Sequence, residues 1–174
     1  MNHYYKYNQE IVRELFLEKT GQLISNKLPI KSITIHLMSK ETVSNSKYIN
    51  IILLVLEKIT GQRAKGIQAK ESIANWKLKK ESWIGGKVIL HHHKMYYFLD
   101  QFIQIIRPKI SQLSHQITLN NYTIGISDLL IFPQLEEEYS KFDKLKGIDI
   151  NIQFEFLTPK EIQMWLNLLE LNYE

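Results

Sequence analysis

No cysteine occurs in the 174 residues. Disulfides, thiolate metal sites and cysteine nucleophiles are thereby excluded, which suits a reducing compartment. No apolar run approaches the roughly 18 residues that cross a bilayer. The longest, residues 49–56, is interrupted by Asn50, so no membrane partner is expected. Alanine is nearly missing as well: Ala64, Ala69 and Ala74 stand against an abundance of Ile, Lys, Asn and Tyr. That skew favours A/T-rich codons and points to an A/T-rich genome, such as that of an organelle or a reduced bacterium. The opening MNHYYKYNQE is neither a secretory signal nor an Arg-rich transit peptide. Either the protein works where it is made, or a leader has been removed. The sequence also lacks a nucleophile elbow, a Walker loop and an HExxH helix. Residues 61–66, GQRAKG, imitate a phosphate loop but lack its GKS or GKT ending. Asp143 and Asp149 sit among lysines, as surface charges do. No enzyme and no cofactor is expected.

What is present is charge concentrated in one place. From Lys58 to Lys94 there are nine Lys and Arg against Glu71 and Glu81, a balance of +7 in a chain of net +4. The remainder is therefore −3. Trp76 and Trp83 punctuate the segment, and its middle has no apolar period. A basic, aromatic-bearing loop between strand-like runs is the composition of a phosphate-binding surface. A solvated charged loop has the same composition. Lys70, Lys77, Lys79 and Lys80 supply cations that position a protein on RNA without reading sequence. Trp76 either stacks on an exposed base or packs beneath the loop. His91, His92 and His93 suggest a metal. On a strand, however, only His91 and His93 share a face, and no third ligand has the right spacing. No metal is expected.

Periodicity gives the frame. Residues 4–19 place Tyr7, Ile11, Val12, Leu15 and Phe16 on one helical face. Residues 30–37 alternate as a strand, with Ile33, Ile35 and Leu37 on one side and Ser32, Thr34 and His36 on the other. A polar loop over 39–46 precedes a buried helix to Thr60, stopped by Gly61. A weak strand is expected within 63–69, then the loop 70–83, then a turn or bulge at Gly85 and Gly86. Strand-like residues 87–92 lead into a helix that ends before Pro108. Residues 111–121 read as irregular, 122–126 as a short strand, and 134–147 as a charged loop. Residues 148–156 alternate most clearly. Thr158, Pro159 and Glu161 then form a capping box opening a terminal helix to about Leu169. With no repeats and no linker, these elements predict a single α+β domain over 1–174. It should have a mostly antiparallel sheet, helices packed on one face and a protruding basic loop 70–83.

Taken in order, the residues resemble the family of bacterial-type large-subunit ribosomal protein five. The resemblance is carried by Gly61-Gln62, Ala69-Lys70, Ser72, Ala74, Lys77, Ile84-Gly85 and Lys87-Val88. It continues through Met95-Tyr96, Phe98-Leu99, Pro108, Ile110, Asn121-Tyr122, Gly125, Ile131-Phe132-Pro133, Asp143-Lys144, Gly147 and Asp149-Ile150, with Tyr4-Tyr5-Lys6 and Leu28-Pro29 before them. It spans nearly the whole chain. It implies a structural protein of the central protuberance of the large ribosomal subunit. Its implied partners are rRNA, P-site tRNA, neighbouring ribosomal proteins and a small-subunit protein across the intersubunit gap. By position, Lys70, Ser72, Trp76, Lys77, Lys79 and Lys80 are the tRNA-facing loop. Ser32, His36, Gln62, Arg63, Lys65 and Ile89 are the rRNA-facing sheet.

The chain also departs from the family. The resemblance implies 5S rRNA recognition by a Lys and an Asn on the first strand, the Gln after the second helix and a Thr on a later strand. Only Gln62 survives; Ser32, His36 and Ile89 occupy the other positions. Met38-Ser39-Lys40-Glu41 replaces Met-Gly-x-Gly, and residues 118–122 shorten a longer loop. Ile89 has no hydroxyl to donate, so a buried partner would be left unsatisfied. The expectation is a 5S rRNA contact weakened or absent beside a retained tRNA loop. The expected location is the large subunit of a mitochondrial ribosome, with another organelle or a bacterial cytoplasm as the other settings. The alternative is a free-standing RNA-binding module outside the ribosome.

Overall fold

Among the described residues, six strands form one sheet in the order β2-β3-β1-β6-β5-β4. These are β1 Ile30–Met38, β2 Lys65–Gln68, β3 Trp83–Leu90, β4 Ser114–Thr118, β5 Asn121–Ile126 and β6 Ile148–Phe154. The helices are α1 Glu41–Ser44, α2 Tyr48–Thr60, α3 His92–Gln101 and α4 Pro159–Leu168. This computed structural model describes residues 14, 15, 18, 30–76, 78–110, 114–138, 142, 145–155 and 157–168. The expected first helix, 4–19, lies largely outside the described residues; Glu14, Leu15 and Glu18 are helical. The mixture of elements is α+β, as the periodicities predict.

Alternation sets the strands. Ile33, Ile35 and Leu37 on β1 are fully buried, and Ile148, Ile150, Ile152 and Phe154 on β6 are buried as well. Ser32 donates to Gln153, and four residues further along β1 His36 feels Asp149, four residues back on β6. Opposite progression along the two strands is antiparallel register.

The chain divides into two compact units. One is drawn from Met1–Ile33, Leu90–Ile124 and Asn151–Glu174, the other from Thr34–Ile89 and Gly125–Ile150. In the first, the capping box forms as expected. The Thr158 N–H donates to Glu161 Oε2 at 2.6 Å, and the Glu161 N–H reaches Thr158 Oγ1 at 3.4 Å. Helix α4 then buries Ile162, Trp165 and Leu166, and the Trp165 ring meets Phe154 edge-on at 5.3 Å. Leu169 lies outside the described residues. Helix α3 ends at Gln101, before Pro108 as expected, but the chain keeps turning. It widens into a π-turn at Phe102–Ile106 and tightens into a 3₁₀ turn at Arg107–Lys109. Proline has no N–H to donate, and the opening residues of a new turn, of which Pro108 is the second, need none. Residues 111–121, expected to be irregular, contain β4.

In the second unit, α2 ends on Gly61 at φ +61°, the left-handed cap its glycine predicts. Ile52, Val55 and Leu56 are buried, while Leu54 faces out, so the helix is less enclosed than its apolar run suggested. The loop 39–46 holds the single turn α1. Gly85 and Gly86 lie inside β3 and not in a turn; of the expected turn or bulge, a bulge falls beside Gly85, at Ile84. A Cβ on Gly85 would drive into the Leu37 carbonyl oxygen, and one on Gly86 would come within 2.9 Å of Leu56. Close approach, not chain reversal, requires glycine here.

Candidate nucleic-acid interface

The basic segment is built on the β2–β3 hairpin. Lys65 pairs with Lys87, Gly66 with Gly86 and Ile67 with Gly85. The register then slips, so that Gln68 pairs with Trp83 and Ile84 is the extra residue. A bulge of this kind sharpens the twist and re-aims what lies beyond it. The Trp83 ring lies over Gly66 across the strands, filling the space where that glycine has no side chain.

Beyond the bulge the loop is an ordered second hairpin. The Ala69 N–H donates to the Ser82 carbonyl, and the Glu81 N–H to the Ala69 carbonyl, both at 2.9 Å. Ser72 Oγ accepts from the Lys80 N–H at 2.9 Å, and Ser82 Oγ donates to the Lys79 carbonyl at 2.6 Å. Ile73 and Leu78 exchange two backbone bonds at 3.0 and 3.1 Å. Between them the 3₁₀ turn Ala74–Trp76 forms the tip. Glu81 takes φ +67°, a left-handed conformation rare outside glycine, to close the base.

This scaffold removes one of the two alternatives for Trp76. Its side chain is 72% exposed, so it does not pack beneath the loop. Lys70, Lys79 and Lys80 are exposed in the same loop, and none of them makes an ion pair among the described residues. Lys77 lies outside the described residues. Ser72, placed in the same set from the sequence, spends its hydroxyl inside the loop as a staple. The loop thus offers one large aromatic face and several exposed cations on a pre-folded support. It can stack a base and neutralise phosphates with little ordering cost.

The sheet residues are arranged differently. On β1 and β3 the side chains opposite the core include His36, Lys87 and Ile89. His36 is half-buried, and its Nδ1 is buried with no hydrogen-bond partner among the described residues. Burial, and then the Lys87 ammonium, hold its pKa below the usual histidine value against the opposing pull of Asp149. The imidazole is accordingly neutral at pH 7. Gln62 is set by the end of α2: its N–H donates to Thr60 Oγ1 at 3.2 Å, and its Nε2 donates to the Ile89 carbonyl at 2.9 Å. Arg63 and Lys65 are exposed on the same hairpin, and the Ile89 side chain is 39% exposed. Ser32, in the other unit, is buried at 4% exposure, with its hydroxyl 3.2 Å from Gln153 Oε1.

Lys87 and Asp149 were not singled out from the sequence as His36's electrostatic neighbours. The burial of Val88 and Leu90 would have placed Lys87 on the outer face. The proximity of Asp149, however, depends on strand order. The histidine run begins where β3 ends: His91 precedes α3, and His92 and His93 lie in its first turn. The strand alternation used for them therefore does not apply.

Comparison with known proteins matches the chain in two consecutive stretches. Residues 24–79 match the family described as Ribosomal protein L5, and residues 83–173 match the description of that ribosomal family's C-terminus. The large ribosomal subunit protein uL5m of Reclinomonas americana is 38% identical over 173 residues, covering 96% of this chain and 95% of its own. The uL5 protein of Spiroplasma kunkelii is 38% identical over 155 residues, covering 84% and 83%. That of Brevibacillus brevis is 31% identical over 173 residues, covering 97% and 95%.

Proposed function

This chain belongs to the ribosomal protein L5 family, and from that premise we propose that it contacts P-site tRNA with the tip of its β2–β3 hairpin while its 5S rRNA contact is weakened or lost. At the coarser level it is a structural, non-enzymatic constituent of the large ribosomal subunit that binds rRNA. The whole chain serves as a single ribosomal-protein domain at the central protuberance. There it meets neighbouring ribosomal proteins and a small-subunit protein across the intersubunit gap.

The observation that carries the tRNA reading is the pre-folded tip. Trp76 is held out at 72% exposure, with Lys70, Lys79 and Lys80 exposed in the same loop and Ser72 and Ser82 bracing it. Lys77 joins them by its place in the sequence. Against the sheet face, a weakened 5S contact is supported by how its polar groups are spent. Ser32 is committed to Gln153, the Gln62 amide nitrogen is committed to Ile89, and Ile89 offers no hydroxyl. Arg63 and Lys65 remain as exposed cations, suited to rRNA phosphate without base reading. A mitochondrial home is supported by the A/T-codon-biased composition and by the organellar name of the Reclinomonas relative.

Co-sedimentation with large subunits is the expected result that separates this function from a free-standing RNA-binding module. A map of the particle should place tRNA at Trp76. If 5S rRNA lies directly against Ser32, His36 and Gln62, the weakened contact is refuted.

A further inference from the structure

The far edge of the sheet has the opposite chemistry to the basic hairpin. Residues 110–127 contain no Lys, Arg, Asp or Glu, where the chain's 23% charged content would place about four. Within this stretch lies β4, the terminal strand of the sheet. Ser114, His115, Gln116 and Thr118 are exposed and Ile117 is half-buried, so no residue of the strand is buried. The two-residue turn Leu119-Asn120 closes the β4–β5 hairpin, and Leu119 stands 80% exposed at its tip.

An edge strand presents alternate N–H and C=O groups to whatever lies beside it. In a two-residue hairpin the flanking residues, here Thr118 and Asn121, bond to each other. The next residue, Ile117, therefore turns its backbone groups outward. Proteins ordinarily guard such an edge with lysine, proline or an inward charge. None of these stands between residues 114 and 118. In a subunit rich in RNA phosphate, a surface without a cation also has nothing with which to neutralise a backbone charge.

Resting on the ribosomal reading above, we propose that β4 is a protein-docking edge, on which an extended segment of a neighbouring ribosomal protein adds as a seventh strand. Main-chain hydrogen bonds to Ile117 hold the segment, and Leu119 supplies an apolar contact at the strand's end.

The test is a density map of the purified large subunit containing the full chain. The expected result is polypeptide main chain alongside β4, with its polar groups about 3 Å from the Ile117 N–H and C=O. RNA, bulk solvent or a second copy of this chain in that place overturns the proposal. The two readings fail separately. A large subunit that lacks the chain sinks the ribosomal reading. A subunit that holds the chain with β4 against RNA or water sinks strand docking alone. Gln116→Lys, which puts a guarding charge on the edge, is expected to lower retention in salt-washed subunits several-fold with an unchanged melting curve. Equal retention also overturns the proposal.

Discussion

Replacing Lys70, Lys79 and Lys80 together by alanine tests whether the hairpin tip touches phosphate. The loop should survive the change, because its staples use backbone groups of these residues: Ser72 binds the Lys80 N–H and Ser82 binds the Lys79 carbonyl. Alanine retains both. All three side chains are exposed, so little packing is lost. Each phosphate contact contributes about 0.7 to 0.9 to the slope of log affinity against log salt, and three lost contacts flatten it by about 2 to 3. Between 50 and 200 mM salt, native affinity for tRNA should therefore fall roughly 20- to 40-fold more than that of the variant. Fluorescence anisotropy across that range reads the difference, with circular dichroism as the check on folding. Parallel slopes with an intact fold would mean that these lysines are solvated charge and that the tip does not bind phosphate.

Trp76→Ala should weaken the same binding by about 1 to 3 kcal/mol without altering the salt slope, since stacking releases no counterions; a changed slope would place Trp76 in a different role. Gly85→Ala should destabilise the fold more than Gly86→Ala in chemical denaturation. The added methyl at 85 meets the Leu37 backbone, whereas at 86 it meets the ends of the Leu56, Leu53 and Ile52 side chains, an overpacking cost of about 1 to 3 kcal/mol. The reverse order would refute this account of the two glycines. His36, whose pKa is lowered in the fold, binds its proton more readily when unfolded. Stability should therefore be lost as pH falls below about 6.5 towards the folded value. His36→Asn should remove that part of the pH dependence, and an unchanged acid limb in urea melts would exclude it.

The parts of this fold that were legible in the sequence are those whose cause is local. The alternation of β1 and β6, the left-handed cap at Gly61 and the capping box at Thr158 each depend on residues within a few positions of one another. What was not legible depends on register. The glycine pair at 85–86 carries the usual signature of a turn. Only the approach of β1 on one side and α2 on the other shows why a strand needs glycine there. The bulge at Ile84 and the two serine staples, which convert a charged loop into a rigid tip, follow from which residues end up opposite across the hairpin. Composition gave the cations of the candidate site but not their support. It could not show that Ser72 works inside the loop or that Ser32 is buried. Strand β4 escaped for a different reason. A strand buried on neither face has no apolar face to write into the sequence, so SHQIT reads as irregular. The feature that hid it, a run of uncharged polar residues without period, is also what leaves its edge without a guarding charge. A chain with lysines to spare for one end of its sheet has put none at the other. That asymmetry separates the hairpin proposed to face RNA from the edge proposed to take up another polypeptide.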